Sequence, residues 1–343
     1  MDALLITMKK VILSALLAVA PLCAQDAPKV PAAEALKSHI NYNPKDLADQ
    51  LTLVIQEVYE LKTELTVSNF RQEYSDRIKM QRVLYPTTTA AHETIPAYVF
   101  TPVKLPAGKK LPAIMMLHGG NHTQLADIWF PWIAAAIERG YVVMYPEYRG
   151  SSGHGDQVYE NNYGVTDFAD VMAATAYLAG RDFVDPARLG ILGHSRGGML
   201  TLRALEAEPK RFAAAAELAA LSDMVAFMGY KDENRREDIA AQKGFGGKLP
   251  DKNLPAYLAI SPVLFVEKIE TPLLVLSTTS DTTVPYQLNN QHVVEALKAY
   301  GKTFGEHLYH DAPGSHMFPF ADTDEARDAM KRTFEWFGKY LAP

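Results

Sequence analysis

The sequence predicts an α/β fold: a mostly parallel central sheet with helices on both faces and a small insertion over the strand ends. Two observations lead there. Short apolar runs alternate with helical stretches, the pattern of strands buried on both sides. The 343 residues, 48% apolar and 22% charged, provide for a large core and exclude a disordered chain. The formal net charge of −6 gives no electrostatic basis for a nucleic-acid partner. The single cysteine excludes a disulfide framework, and no run reaches the roughly 18 apolar residues of a membrane span.

The chain opens with Met8-Lys9-Lys10, an apolar run from Val11 to Ala20 broken only by Ser14, and Pro21-Leu22-Cys23-Ala24. A basic end, a short apolar core and a small residue before a polar segment read as a bacterial signal peptide over 1–24. The expected location is therefore secreted or periplasmic. Cys23 as a lipidation site is disfavoured because bulky Leu22 precedes it. Residues 25–76 read as an Ala/Pro-rich linker and a helical extension. Leu47, Leu51, Val54, Val58, Leu61 and Leu65 repeat at 4-3-4-3-4 spacing, which lines six apolar side chains along one seam. That seam is expected to dock on its own domain, with a homo-oligomer through this helix as the alternative.

A catalytic domain is expected over 77–343. Ile78–Pro86, Ala97–Pro102, Ala113–Leu117, Tyr141–Tyr145, Leu189–Leu192, Phe212–Leu218, Leu273–Thr278 and Phe304–Tyr309 read as strands. Ile128–Arg139, Asp167–Leu178, Ser195–Glu206 and Thr323–Tyr340 read as helices. Between them, 222–262 breaks the rhythm and reads as the insertion, its charge run Lys231–Asp238 a solvated surface. Met224, Phe227, Met228, Tyr230 and Phe245 there, and Trp129, Phe130 and Trp132 earlier, could wall a pocket but more simply belong to the core.

Gly193-His194-Ser195-Arg196-Gly197 lies between a strand and a helix. A sharp strand-to-helix turn would lift the Ser195 hydroxyl clear of the sheet, and the glycines let strand and helix approach. A dinucleotide loop is excluded because the glycines do not fit its spacing. A nucleophilic serine needs a base, and the base an orienting acid. Asp281 follows one strand and His316 another, in the order Ser…Asp…His of an α/β hydrolase. His310 is a rival base, tied to a strand end; Glu306 and Asp311 are weaker rivals for the acid. The oxyanion donors are expected to be the N–H groups of Arg196 and of Gly120 in His118-Gly119-Gly120-Asn121. His118 and His122 lack a third ligand at metal spacing, so no metal or cofactor is expected.

With these residues in hand, the chain resembles the catalytic domain of the prolyl-oligopeptidase family from about Pro112 onward. The resemblance rests on His118-Gly119-Gly120, on Tyr148-Arg149-Gly150-Ser151-Ser152-Gly153-His154-Gly155 and on the Ser195 turn. It continues through Ser261-Pro262, Ile269-Glu270-Thr271-Pro272, Asp281-Thr282-Thr283-Val284-Pro285 and His316. It implies that Ser195, Asp281 and His316 are catalytic and that the Arg149 segment is mostly structural. Large members carry a β-propeller ahead of this domain, whereas here only residues 25–111 separate the leader from the first matched motif. The loop from Tyr309 to His316 is longer than the family's commonest form. The expected activity is a serine hydrolase cleaving carboxylic esters through an acyl-enzyme, on small-molecule substrates; the alternative is a serine peptidase acting on short peptides. A non-catalytic binding protein on the same scaffold is a remote third.

Overall fold

The computed structural model describes residues 47–89, 93–160 and 163–342. The leader at 1–24 and the linker at 25–43 lie outside the described residues. Val58–Pro343 form one compact unit; of the unit before it only 47–57, the first turns of a helix, are described. In chain order the elements are α1 Leu47–Tyr74, β1 Ile78–Pro86, β2 Thr94–Pro102, β3 Leu111–Leu117, α2 Phe130–Glu138, β4 Val142–Pro146, α3 Asp156–Tyr159, α4 Thr166–Ala179 and β5 Val184–His194. They continue with α5 Arg196–Ala207, β6 Ala214–Leu218, α6 Met224–Tyr230, α7 Glu233–Ala240, α8 Pro250–Leu258, β7 Leu273–Thr278, α9 Asn290–Ala299, β8 Phe304–Tyr309 and α10 Asp324–Leu341. Among the described residues no helix is long and apolar enough to cross a membrane.

The eight strands form one sheet in the order β1-β2-β4-β3-β5-β6-β7-β8. The β1/β2 and β2/β4 pairs are antiparallel; all pairs from β4/β3 to β7/β8 are parallel. The middle strands explain this: β4, β6 and β7 are buried at every position, which suits a sheet covered on both faces. The strand order turns back between β3 and β5, the neighbourhood in which such sheets place their sites.

Each face has its own core. One packs α4 (Val171, Ala174, Leu178), α5 (Met199, Leu202, Leu205) and α9 (Val293, Leu297) on the sheet. The other packs Phe70 of α1, Ile133 of α2 and Phe334 and Phe337 of α10. Phe70 is the anchor of α1: its ring lies 4.9 Å from those of Phe100 and Phe130 and stacks on Tyr74.

Two expectations need correction. Within the compact unit the apolar seam of α1 is open rather than docked: Val58, Leu61 and Leu65 are each more than half exposed. A second face, Thr63, Thr66, Val67, Phe70 and Tyr74, is buried instead, and the compact unit takes in this helix from Val58. The insertion, whose elements the spacing leaves open, is helical, comprising α6, α7 and α8. Asp223 caps α6 by accepting from Val225 and Ala226 N–H at 2.9 Å, and Asp232 caps α7 by accepting from Arg235 N–H at 3.0 Å. β5 is also longer than its apolar stretch, because Val184 pairs with Leu111 across an irregularity in the β3/β5 ladder.

Candidate active site

β5 ends at His194 and α5 begins at Arg196, leaving Ser195 alone in the turn with φ 57° and ψ −117°. That conformation is costly for a serine and persists because the turn is held from several sides. Ser195 N–H donates to Leu218 O at 3.0 Å, while its carbonyl accepts from Met199 and Leu221 N–H at 3.0 and 3.1 Å. Glycine is required on either side. A Cβ on Gly193 would overlap the carbonyl of Gly197, and one on Gly197 the carbonyls of Leu117 and His118. The first N–H groups of α5 lack intrahelical acceptors, so Arg196 N–H is available beside the hydroxyl.

Asp281 lies past the end of β7 and His316 past the end of β8. His316 Nδ1–H donates to Asp281 Oδ2 at 2.7 Å, which leaves Nε2 as the basic nitrogen. The other carboxylate oxygen accepts from Thr283 and Val284 N–H at 2.8 and 2.7 Å, which fixes the acid's orientation. The two loops are stitched together: Ser315 Oγ donates to Ser280 O at 2.7 Å, Ser280 Oγ to Ala312 O at 2.8 Å, and Ala312 N–H to Thr278 Oγ1 at 3.1 Å. The loop between Tyr309 and His316 supplies these ties through Ala312 and Ser315.

His194, next to Ser195, donates from Nε2 to the backbone carbonyl of His316 at 2.9 Å, and the two rings lie 4.7 Å apart. Burial, reinforced by neighbouring His316, lowers the His194 pKa to about 3, so this ring is neutral. His316 is thereby tied to the residue beside Ser195; the Ser195 hydroxyl itself is not hydrogen-bonded to His316 in this conformation. The spacing of the motif carries no signal for His194, whose acceptor is 122 residues away.

In the loop after β3, Gly120 has φ +73°. The Gly119 carbonyl preceding it accepts from Thr123 Oγ1 and faces His118 Nδ1 at 3.0 Å. His118 is buried, stacks on Tyr148 with ring centroids 4.3 Å apart, and reaches Ser151 Oγ at 2.9 Å through Nε2. Burial lowers its pKa to about 4. Arg149 pairs with buried Asp170 and reaches Thr87, a structural anchor as the motif implies.

The rival residues are placed elsewhere. His310 is exposed, Glu306 accepts from Tyr286 Oη and Lys298 Nζ, and Asp311 accepts from Thr279 Oγ1. Met224, Phe227, Met228, Phe245, Trp129, Phe130 and Trp132 are all at most 5% exposed and belong to the cores rather than to a pocket wall.

A family model described as the prolyl oligopeptidase family matches residues 128–343. The chain belongs to the prolyl oligopeptidase family. Two similar family relatives are the "uncharacterized peptidase YuxL" of Bacillus subtilis, 29% identical over 71% of this chain, and the acylamino-acid-releasing enzyme of Mus musculus, 28% identical over 71%. The chain spans about a third of the length of these curated relatives, 37% and 34% respectively. Among solved structures, a Pyrococcus horikoshii acylaminoacyl peptidase superposes with a TM-score of 0.65 at 22% identity, covering 77% of this chain and 42% of that one. A puromycin-hydrolyzing peptidase of Mycobacterium tuberculosis superposes with a TM-score of 0.63 at 25% identity, covering 77% and 40%. The fold is thus the α/β-hydrolase fold of the prolyl oligopeptidase family, with Ser195, Asp281 and His316 at the carboxyl ends of β5, β7 and β8.

Proposed function

We propose that this protein is a secreted or periplasmic serine peptidase that hydrolyses short peptides with a blocked amino terminus. The observation that carries the reading is the 2.7 Å bond from His316 to Asp281 on loops stitched beside the Ser195 turn, in a chain of a peptidase family. Ser195 Oγ attacks the scissile carbonyl as His316 Nε2 takes its proton. Asp281 stabilises the imidazolium, and the N–H groups of Gly120 and Arg196 receive the oxyanion. Collapse expels the amine with the proton from His316, leaving an acyl-enzyme. Water, deprotonated by His316, then releases the acid and restores Ser195.

Ester cleavage, which the sequence alone favours, uses the same groups on a better leaving group; the relatives, described as peptidases and acylamino-acid-releasing enzymes, move the weight to the amide. Lys231 supports the blocked terminus. Its ammonium donates to Thr283 O at 2.8 Å, on the acid loop, and lies 4.8 Å from the Phe227 ring and 5.1 Å from that of Tyr230. A fixed positive charge there repels a substrate ammonium and tolerates an acyl cap. The leader read at 1–24 supports export.

The test compares N-acetyl-alanyl anilide, the same anilide with a free amino group, and chromogenic acyl esters. Cleavage of the acetylated anilide over the free one, lost in Ser195→Ala, is expected. Activity confined to esters would return the assignment to an esterase, and turnover surviving in Ser195→Ala would remove the triad altogether.

A further inference from the structure

We propose that the Arg196 side chain is a positioning residue that locks the two halves of the oxyanion hole to each other. The inference rests on the reading that Gly120 and Arg196 N–H receive the oxyanion. The two donors come from segments 76 residues apart, so their spacing must be set by something that touches both. Arg196 does. Its backbone carries one donor, and its guanidinium reaches across to the loop that carries the other: Nη1 donates to Gly120 O at 3.2 Å and to Asn121 Oδ1 at 3.3 Å.

The guanidinium is itself held without slack. Nε donates to Asp167 Oδ2 at 3.0 Å, and Nη2 donates to the same oxygen at 2.5 Å and to Arg149 O at 3.3 Å. A guanidinium has five N–H groups, and here all five have acceptors. Tyr163 and Tyr148 lie beside it, their ring centroids 4.4 and 5.3 Å from Cζ. Arg196 and Asp167 are essentially fully buried, so the pair is desolvated and its geometry is not screened. A lysine could supply the charge but not a planar fork that reaches a loop, a helix and a carbonyl at once.

Gly120 needs such a clamp. It has φ +73° and no side chain, so the peptides on either side can rotate at little cost. The peptide before it is fixed through Gly119 O by Thr123 Oγ1. The peptide after it is fixed through Gly120 O by Arg196. With both held, Gly120 N–H has one direction. A donor placed in advance contributes more to an oxyanion than one that must reorganise as charge develops.

The test uses Arg196→Gln, Arg196→Lys and Asp167→Asn in the full chain, with kcat and KM on whichever amide or ester the wild type cleaves. Binding of a peptide boronic acid, melting temperature and the pH profile of kcat/KM are measured alongside. Arg196→Gln is expected to lower kcat about 10- to 100-fold and to weaken the boronate by a similar factor, a misplaced donor costing somewhat less than an absent one. KM should stay within about threefold and the pH midpoint should not move, because the triad is untouched. Arg196→Lys should fall between. Wild-type kcat in a folded Arg196→Gln, or a loss confined to KM with boronate affinity intact, overturns the proposal. If Arg196→Gln does not fold, Asn121→Ala removes one acceptor of the fork at a partly exposed position: a several-fold lower kcat at unchanged melting temperature supports the clamp, and an unchanged kcat overturns it. Turnover that survives in Ser195→Ala would instead sink the underlying hydrolase reading.

Discussion

The Nε2–H of His194 bonds the backbone carbonyl of His316 at 2.9 Å, so the residue preceding Ser195 holds the loop that carries His316. Because the ring is neutral down to about pH 3, this bond does not titrate over any ordinary assay range. His194→Ala removes the bond to the His316 carbonyl while leaving the Ser195, Asp281 and His316 side chains themselves unchanged. Displacements of about 1 Å in a reacting group can cost on the order of 100-fold, so a fall in kcat of about 10- to 100-fold with KM little changed is expected. His194→Gln, which keeps a donor, should recover part of it. Steady-state kinetics on the same substrate decide this, and wild-type kcat in His194→Ala would assign the ring to packing alone.

Asp281 accepts three hydrogen bonds: one from His316 Nδ1 and two from the N–H groups of Thr283 and Val284. In Asp281→Asn the amide can keep a bond to the ring only by reversing it, which puts the proton on Nε2 and removes the base. Turnover should fall by about 10³- to 10⁴-fold, the scale of a triad with the wrong tautomer. Ser195→Ala should fall comparably and also lose labelling by a fluorophosphonate. Intact labelling in Ser195→Ala would show that another residue is the nucleophile.

Glu217 on β6 is fully buried beside Gly193 of β5. Its Oε2 accepts from Ala220 N–H at 2.7 Å, whereas Oε1 has no hydrogen-bond partner among the described residues. Burial raises its pKa to about 8, so the folded protein carries it as the neutral acid. An acid whose folded pKa is raised stabilises the protein fully below its unfolded value, near 4.5, and loses that contribution as pH rises toward 8. Urea unfolding at pH 5, 7 and 8.5 should therefore show Glu217→Gln losing less stability than the wild type across this range, by on the order of a few kcal/mol. The buried neutral rings of His118 and His194 act in the opposite direction: stability falls as pH drops below the unfolded value of 6.5, because only the unfolded chain takes up the protons. Identical pH slopes for Glu217→Gln and the wild type would mean that the carboxyl is ionised in the fold.

Much of the site was legible because its signals are local. A glycine two before and two after Ser195, a strand before and a helix after, and partners in a fixed order are all sequence patterns. What was not legible acts over distance. Nothing in the spacing says that His194 bonds a carbonyl 122 residues on, or that the Arg196 side chain reaches back to Gly120. The sheet was legible because continuous apolar runs such as β7 admit few other placements, whereas the helices inside the insertion start at caps on Asp223 and Asp232 rather than in apolar periodicity, so the spacing there names no element. In α1 the 4-3 spacing identified a helix but not its docking face, because two faces satisfy it: Leu51, Val54, Val58, Leu61, Leu65 and, equally, Thr63, Val67, Phe70, Tyr74.

That ambiguity gives a stability test with opposite outcomes for the two faces. Phe70 is wholly buried among Tyr74, Phe100 and Phe130, and truncation to alanine would leave a cavity that this aromatic cluster cannot close without moving the sheet. Phe70→Ala should cost about 3–5 kcal/mol. Leu61 and Leu65 are 58% and 61% exposed, so Leu61→Gln and Leu65→Gln remove little apolar area that folding has buried and should each stay within about 0.5 kcal/mol of wild type. Urea midpoints measured across a range of protein concentrations separate packing from association. A loss in Leu61→Gln that grows with protein concentration would mean that a second copy covers the seam, since association stabilises a fold in proportion to the logarithm of partner concentration. A loss of several kcal/mol that does not depend on concentration would instead mean that the seam, not the Phe70 face, packs on the domain.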